Sequence, residues 1–117
     1  MRPRRTEFAN FVLDLLDFME EKLREALADE NSRIAAVGEA AGAMPLLRDR
    51  LREDEVVQTQ FTLVFDNELY EPHASERWRS LARMPRTDFE GEVEALVKPG
   101  GAFAALRAIA GATQGLD

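Results

Sequence analysis

Few side chains in this sequence are of the types that carry out catalysis. The 117 residues include no cysteine, one histidine, His73, and one tyrosine, Tyr70. A carboxylate-bridged metal site in a helical bundle needs two E-x-x-H motifs, whereas His73 has only Glu71 before it and Glu76 after it. No nucleophile and orienting acid stand at a recognisable spacing from His73, and the glycines follow no phosphate-binding pattern. We therefore expect a protein that is not an enzyme and that holds no metal or cofactor.

Charged residues are more informative. The chain carries 15 basic and 22 acidic residues, a net charge of -7. This sign opposes direct binding to nucleic acid and to anionic membranes. The charge is also segregated, because residues 6–30 hold eight acidic and two basic residues, whereas residues 73–87 hold four arginines and one glutamate. Each region is a candidate surface for another macromolecule.

The acidic region contains a regular set of carboxylates, which we call the acidic strip: Asp14, Asp17, Glu21 and Glu25. Their spacings of three, four and four residues place them on one side of a helix, where like charges repel weakly. The strip is either a solvated helix face or a docking face for a basic partner.

The basic region contains four arginines beside Trp78, which we call the arginine patch: Arg77, Arg79, Arg83 and Arg86. Guanidinium groups bind both phosphates and carboxylates, and the acidic character of the chain favours carboxylates here. Three targets remain open. They are Glu21 and Glu25 of the same chain in an intramolecular clamp, a partner protein, and nucleic acid within a larger complex.

The elements that position these residues are predicted to be helices. After a basic extension over residues 1–5, Thr6 is a suitable N-cap for a helix of about 24 residues, roughly 36 Å long. Its apolar residues recur at helical spacing, at Phe8, Phe11, Val12, Leu15, Leu16, Met19, Leu23 and Leu27.

A second pair of helices is predicted over residues 34–44 and 46–53, separated at Pro45, which suits the first turn of a helix. Glycine is unfavourable inside a helix unless two backbones approach closely. We therefore expect Ala35, Gly38 and Gly42 to line a tight crossing, against the first helix or against a second copy of the chain.

Residues 55–69 fit two periods. Phe61, Leu63 and Phe65 alternate as in a strand, whereas Val57, Phe61 and Val64 follow helical spacing. A lone strand is unstable and no other segment offers it a partner, so we favour a helix. A strand would require pairing with another chain.

Three elements are predicted in the last third of the chain. Residues 76–84 form a helix capped by Ser75, and Thr87 with Glu90 forms a capping box for a helix that ends at Lys98. The last helix, 102–112, has one charged residue and almost no polar face, so its apolar residues line either the core or an interface: Phe103, Leu106 and Ile109. Residues 113–117 are expected to fray.

These observations predict an all-α protein, a compact bundle of five or six helices forming one domain over residues 6–112. No apolar run is long enough to span a membrane and the arginine-rich start is unlike a signal peptide, so we expect a cytoplasmic protein. Arginine outnumbers lysine 13 to 2, which indicates a GC-rich coding sequence and a bacterial or phage origin.

Three functions fit this sequence. The first is a non-enzymatic protein–protein interaction module, such as an adaptor, regulator or small structural subunit, that also self-associates. The second is a small acidic inhibitor from a mobile element, which mimics nucleic acid toward a basic target. The third is a helical subunit of a nucleoprotein complex.

Overall fold

The computed structural model describes residues 3–51 and 74–114. They form helices α1 (Pro3–Ala28), α2 (Arg33–Leu51), α3 (Ala74–Arg83), α4 (Arg86–Val97) and α5 (Ala102–Gln114), with a short 3₁₀ helix over Glu30–Ser32. No strand occurs within these two ranges, so the predicted all-α class is confirmed for them. The predicted total of five or six helices is not confirmed, and residues 55–69 lie outside the described part. None of the described helices has the length and apolar character that a membrane span requires.

Helix α1 is the longest element and supplies one side of the core. Its buried residues recur every three or four positions, at Phe8, Val12, Leu16, Met19 and Leu23. The helix starts at Pro3, three residues before the predicted cap Thr6. Proline is accepted in a first helical turn because its missing N–H would have no helical partner there. Residues 3–5 therefore belong to α1 and are not an extension.

Helix α2 is continuous where two helices were predicted, because Pro45 lies inside it. Proline cannot donate to the Ala41 carbonyl and costs about 3 kcal/mol in a helix interior. Met44 and Leu47, on either side of Pro45, are both buried. Packing of Met44 and Leu47 into the core offsets the local cost, while Pro45 itself is exposed.

Alanines, not glycines, line the buried side of α2. Ala40 and Ala43 are buried, whereas Ala35, Gly38 and Gly42 are exposed. A Cβ atom added at either glycine would meet nothing within 4 Å. The predicted glycine crossing against the first helix is therefore wrong, because the spacing of these glycines puts them on the solvent side of α2. A crossing against a second copy stays a prediction.

Helices α1 and α2 form an antiparallel hairpin. Lys22 Nζ lies 2.8 Å from Glu39 Oε2, and the Arg50 guanidinium lies 5.1 Å from the centre of the Phe11 ring. Between the two helices, Asp29 accepts hydrogen bonds from the Asn31 N–H and the Ser32 hydroxyl. Helix α3 packs on α2, α5 packs on α1, and α4 contacts α1, α3 and α5.

Helix α4 begins without the predicted capping box. It starts at Arg86, directly after Pro85, and no side chain caps its first turn. The Phe89 N–H donates to the Pro85 carbonyl at 3.0 Å, which closes the turn without Thr87. Glu90 instead accepts from Arg86 Nε at 3.2 Å, a pair within the same helix, and does not take part in a cap with Thr87.

A tight glycine turn joins α4 to α5. Helix α4 ends at Val97, one residue before the predicted end at Lys98, whose N–H donates to the Glu94 carbonyl. Gly100 has a φ of 84°, a conformation that favours glycine. A Cβ atom at Gly101 would lie 2.6 Å from the Ala95 carbonyl oxygen, so the backbone passes too closely for any side chain. Helix α5 continues to Gln114, past the predicted end of the last helix at residue 112.

Candidate protein-binding surface

All four residues of the acidic strip are exposed on the side of α1 that faces away from the core. Asp17 Oδ1 lies 3.0 Å from Arg107 Nη2, and Glu25 Oε2 lies 3.2 Å from Lys22 Nζ. Asp14 and Glu21 form no ion pair with any described residue. Among the described residues, cations therefore bind two carboxylates of the strip, Asp17 and Glu25, and none binds the other two.

Two exposed phenylalanine rings border the acidic strip. Phe11 is 37% exposed and Phe18 is 39% exposed, and their spacing of seven residues places them on the same side of α1. Cations cover both rings, since Lys22 Nζ lies 5.7 Å from the Phe18 centre and Arg50 covers Phe11. Sequence reasoning missed this surface because it assigned Phe11 to the buried stripe. The sequence does contain a signal for this surface. Phe18 lies four residues after Asp14 and three before Glu21, so a helix places its ring beside both carboxylates.

Lys22 joins the strip to α2, because its ammonium group contacts both Glu39 and Glu25. Its hydrogen bond to Glu39, followed by the one to Glu25, raises the pKa of Lys22 above the usual 10.5. This ammonium group is thus a fixed positive charge between Phe18 and the exposed side of α2.

Glu20 and Arg107 form the better-buried ion pair at the edge of the strip, with Arg107 Nη1 2.9 Å from Glu20 Oε1. Burial alone would raise the pKa of Glu20, and it is the largest single influence on that carboxyl. The hydrogen bonds from Arg107 and Arg24 together outweigh burial, so the pKa of Glu20 lies below the usual 4.5. Burial likewise opposes the charge of Arg107, but Glu20 and then Asp17 raise the pKa of Arg107 above its usual value.

The arginine patch is divided by the structure. Arg79 and Arg83 are exposed and form no ion pair with the described residues, and the side chain of Arg77 lies outside the description. Arg86 is half-buried and donates to the Ala26 carbonyl at 2.8 Å.

Arg86 also donates to the Leu27 carbonyl and pairs with Glu30. The predicted clamp onto Glu21 and Glu25 is not formed by Arg86, because the C-terminal carbonyls of α1 bind its guanidinium first.

Arg33 completes a cluster at this junction that sequence reasoning missed. Its side chain is buried, and Nη2 donates to the Met84 carbonyl at 2.7 Å. The Arg33 and Arg86 guanidinium groups lie 5.0 and 5.6 Å from the centre of the Phe89 ring. We call Arg33, Arg86 and Phe89 the arginine latch. It joins the turn between α1 and α2 to the turn between α3 and α4.

The last helix contributes to the core. Phe103 and Leu106 are fully buried, and Ile109 is partly buried against the same cluster. Of the two predicted alternatives, burial favours the core for Phe103 and Leu106, since neither side chain reaches the surface of the folded chain. Contact of Ile109 with a partner stays a prediction. Sequence could not separate the two roles, because a helix with little polar face suits a core and an interface equally.

Within 3–51 and 74–114, no group of three carboxylate or histidine side chains is arranged to hold a metal ion. His73 and Tyr70 lie outside these ranges. No family model, no curated protein and no solved structure matches this chain.

Proposed function

We propose that this protein is a non-enzymatic protein–protein interaction module that binds a basic partner through the exposed side of α1. The observation that carries the proposal is the juxtaposition of four exposed carboxylates with two exposed phenylalanine rings on one helix face. Protein interfaces combine an apolar centre with a charged rim, and aromatic side chains are enriched among the residues that contribute most affinity.

The exposed side of α1 offers carboxylates that attract a basic partner and apolar rings that the partner can contact. Asp14 and Glu21 form no ion pair with the described residues and can pair with lysine or arginine of a partner. Phe11 and Phe18 each hold a cation of the same chain over the ring but stay 37% and 39% exposed, so a partner can contact the accessible part of each ring. The rings lie about 10 Å apart along the axis, two turns of a helix. A basic amphipathic helix with apolar residues two turns apart matches this spacing.

The acidic inhibitor is the second candidate, and it uses the same carboxylates. It is favoured by the exposure of all four on one face but weakened by the pairing of Asp17 with Arg107 and of Glu25 with Lys22. A nucleoprotein subunit is the weakest candidate, because Arg86 is already occupied by carbonyls of α1.

The test is affinity capture of the tagged protein from its native host, with and without nuclease. Wild type is compared with Asp14→Asn/Glu21→Gln, which neutralises the two open carboxylates. Asp88→Asn/Glu94→Gln is the matched control, because both residues are exposed on α4 and the change in net charge is the same.

We expect a protein that survives nuclease and is captured at stoichiometric level by wild type and by the α4 control, but not by the α1 variant. Capture of a basic nucleic-acid-handling protein that salt releases steeply would select the inhibitor. Loss of every partner on nuclease treatment would select the nucleoprotein subunit. Equal capture by all three proteins would exclude the α1 surface.

A further inference from the structure

The exposed apolar side chains of this protein are concentrated where α1 and α2 meet. The described ranges contain four large apolar residues that are exposed, and three of them, Phe11, Phe18 and Leu46, belong to these two helices on the sides that face each other's edge. The fourth, Ile34, lies elsewhere on α2, because the twelve residues that separate it from Leu46 turn it by about 120° around the helix axis.

Two contacts fix how the helices line up at this edge. Lys22 of α1 meets Glu39 of α2 at 2.8 Å. Phe11, eleven residues earlier on α1, lies under the guanidinium of Arg50, eleven residues later on α2. Equal steps in opposite directions along the two helices define a single antiparallel register.

This register places Leu46 between the two phenylalanine rings. Leu46 precedes Arg50 by four residues and Leu15 follows Phe11 by four, so the two leucines lie at the same level of the hairpin. Leu15 is half-buried and falls on the same side of α1 as Phe11 and Phe18. We call Phe11, Leu15, Phe18 and Leu46 the α1–α2 seam.

Cations mark the two ends of the seam. Arg50 lies at one end and Lys22 at the other, about 16 Å apart along the axis, which is three helical turns. Between them the seam presents Leu15, Phe18 and Leu46. One additional helix of about eleven residues would cover this length.

Unpaired carboxylates border the seam on its α1 side. Asp14 and Glu21 lie there and form no ion pair with the described residues. On α2, Glu39 is held by Lys22, and Asp49 also interacts within the chain. A segment that covers the seam therefore meets attraction for basic side chains along α1.

Helix α5 shows what kind of segment such a surface of α1 binds. It is rich in alanine, its one charged residue is Arg107, and it packs on α1. Arg107 pairs with Glu20 and Asp17 while the apolar residues of α5 fill the core. Glu20 lies about 160° around α1 from Phe18, so α5 occupies the flank opposite the seam. One flank of α1 thus already binds an apolar helix that carries a cation at its edge.

We propose that the partner of this protein contributes an amphipathic helix that docks on the α1–α2 seam. Its apolar stripe contacts Leu46 and the two rings, and its basic residues lie beside Asp14 and Glu21. The partner helix adds to the α1–α2 hairpin on one flank as α5 does on the other. Docking on the seam rests on the proposed function and extends the binding surface from α1 to α2.

A synthetic helix tests the chemistry of this occupant. The probe is a peptide of about 14 residues, four turns, with leucine along one side, lysine on one flank and alanine elsewhere. A second peptide carries glutamate in place of every lysine. Fluorescence anisotropy of the labelled peptides measures binding to the purified full chain. The contact is small, so we expect a dissociation constant of about 100 µM for the lysine peptide and at least about tenfold weaker binding of the glutamate peptide.

The contribution of α2 is tested with Leu46→Gln. We expect this variant to bind the lysine peptide about fivefold more weakly than wild type, because Leu46 lies at the centre of the contact. Leu46 is 56% exposed, so the substitution leaves the core intact. Ile34→Gln is the matched control, since Ile34 is 72% exposed on a different side of the same helix. It should bind as wild type does.

Asp14→Asn/Glu21→Gln separates this proposal from the proposed function. Equal binding by Leu46→Gln and Ile34→Gln would overturn docking on the seam, and weaker binding by the α1 variant alone would then leave the exposed side of α1 as the site. Equal binding of the two peptides, or no binding of the lysine peptide at about 1 mM, would overturn the proposed occupant. Capture from the native host decides separately whether the exposed side of α1 binds a partner.

Discussion

Arg107 shows how a single side chain secures the contact between the first and last helices. It binds Glu20 at 2.9 Å and Asp17 at 3.0 Å. The Asp17 side chain is 70% exposed, so water and salt weaken that pair, whereas Glu20 is better buried. Sequence reasoning identified Arg107 as the one charge of the last helix, but its partner is 87 residues away and no local pattern connects them.

This pairing predicts how stability responds to acid. The pKa of Glu20 is lower in the folded chain than the usual 4.5, so its stabilising contribution is fully present above 4.5 and is lost as pH falls through the folded pKa. Replacing Arg107 by Gln removes the strongest hydrogen bond that lowers this pKa. We therefore expect the free energy of unfolding to fall less steeply in Arg107→Gln than in wild type as the pH is lowered below 4.5.

Urea denaturation at several pH values measures this slope. Arg79→Gln serves as the control, because Arg79 is exposed and forms no ion pair with the described residues. The control should reproduce the wild-type slope. An unchanged slope in Arg107→Gln would mean that Glu20 does not depend on this arginine.

At the scale of elements, sequence patterns located most helices but misplaced several boundaries. Two local patterns were sufficient to locate helices, because both act through backbone and packing preferences. They are the apolar spacing of α1 and the helix stop after α4 formed by Pro99, Gly100 and Gly101. Pro45 and Thr87 predicted helix boundaries that are wrong, because tertiary contacts outweigh the local preference at both positions. Met44 and Leu47 are buried on either side of Pro45, and α4 starts directly after Pro85 at Arg86, one residue before Thr87.

The displaced boundary gives a prediction about capping. Thr87→Ala should change stability by less than about 0.5 kcal/mol, because Thr87 caps no helix and is exposed. Asp29→Ala should cost about 1 kcal/mol, because its carboxylate accepts from the Asn31 N–H and the Ser32 hydroxyl. Thermal unfolding of the two variants compares them directly. A larger loss of stability for Thr87→Ala than for Asp29→Ala would show that Thr87 does cap α4.

For the whole molecule, the arginine latch is the contact that joins the α1–α2 hairpin to the α3–α4 turn. Arg86 donates to the carbonyls of Ala26 and Leu27, 60 and 59 residues earlier in the chain. Sequence reasoning placed Arg86 on a binding surface because its spacing matches Arg79 and Arg83. Only the tertiary structure shows that Arg86 binds the backbone carbonyls at the end of α1.

Replacing Arg86 by Gln should therefore destabilise the whole fold. We expect a loss of roughly 1–3 kcal/mol, because the carbonyls of Ala26 and Leu27 lose their charged donor in a partly buried site. Arg79→Gln makes the same chemical change at an exposed position and should stay within about 0.5 kcal/mol of wild type. Urea unfolding followed by circular dichroism measures both. Equal stability of the two variants would show that the latch adds nothing to the fold.

The glycine turn between α4 and α5 also constrains how this sequence can vary through evolution. At Gly101 even a methyl group would overlap the Ala95 and Leu96 carbonyl oxygens, whereas Gly91 has open space around it. Any homologous sequence that retains this turn must keep glycine at position 101, whereas position 91 can accept other residues. Surface residues change faster than this turn. Distant homologues can therefore be recognised by a glycine equivalent to Gly101 that is followed by an alanine-rich helix.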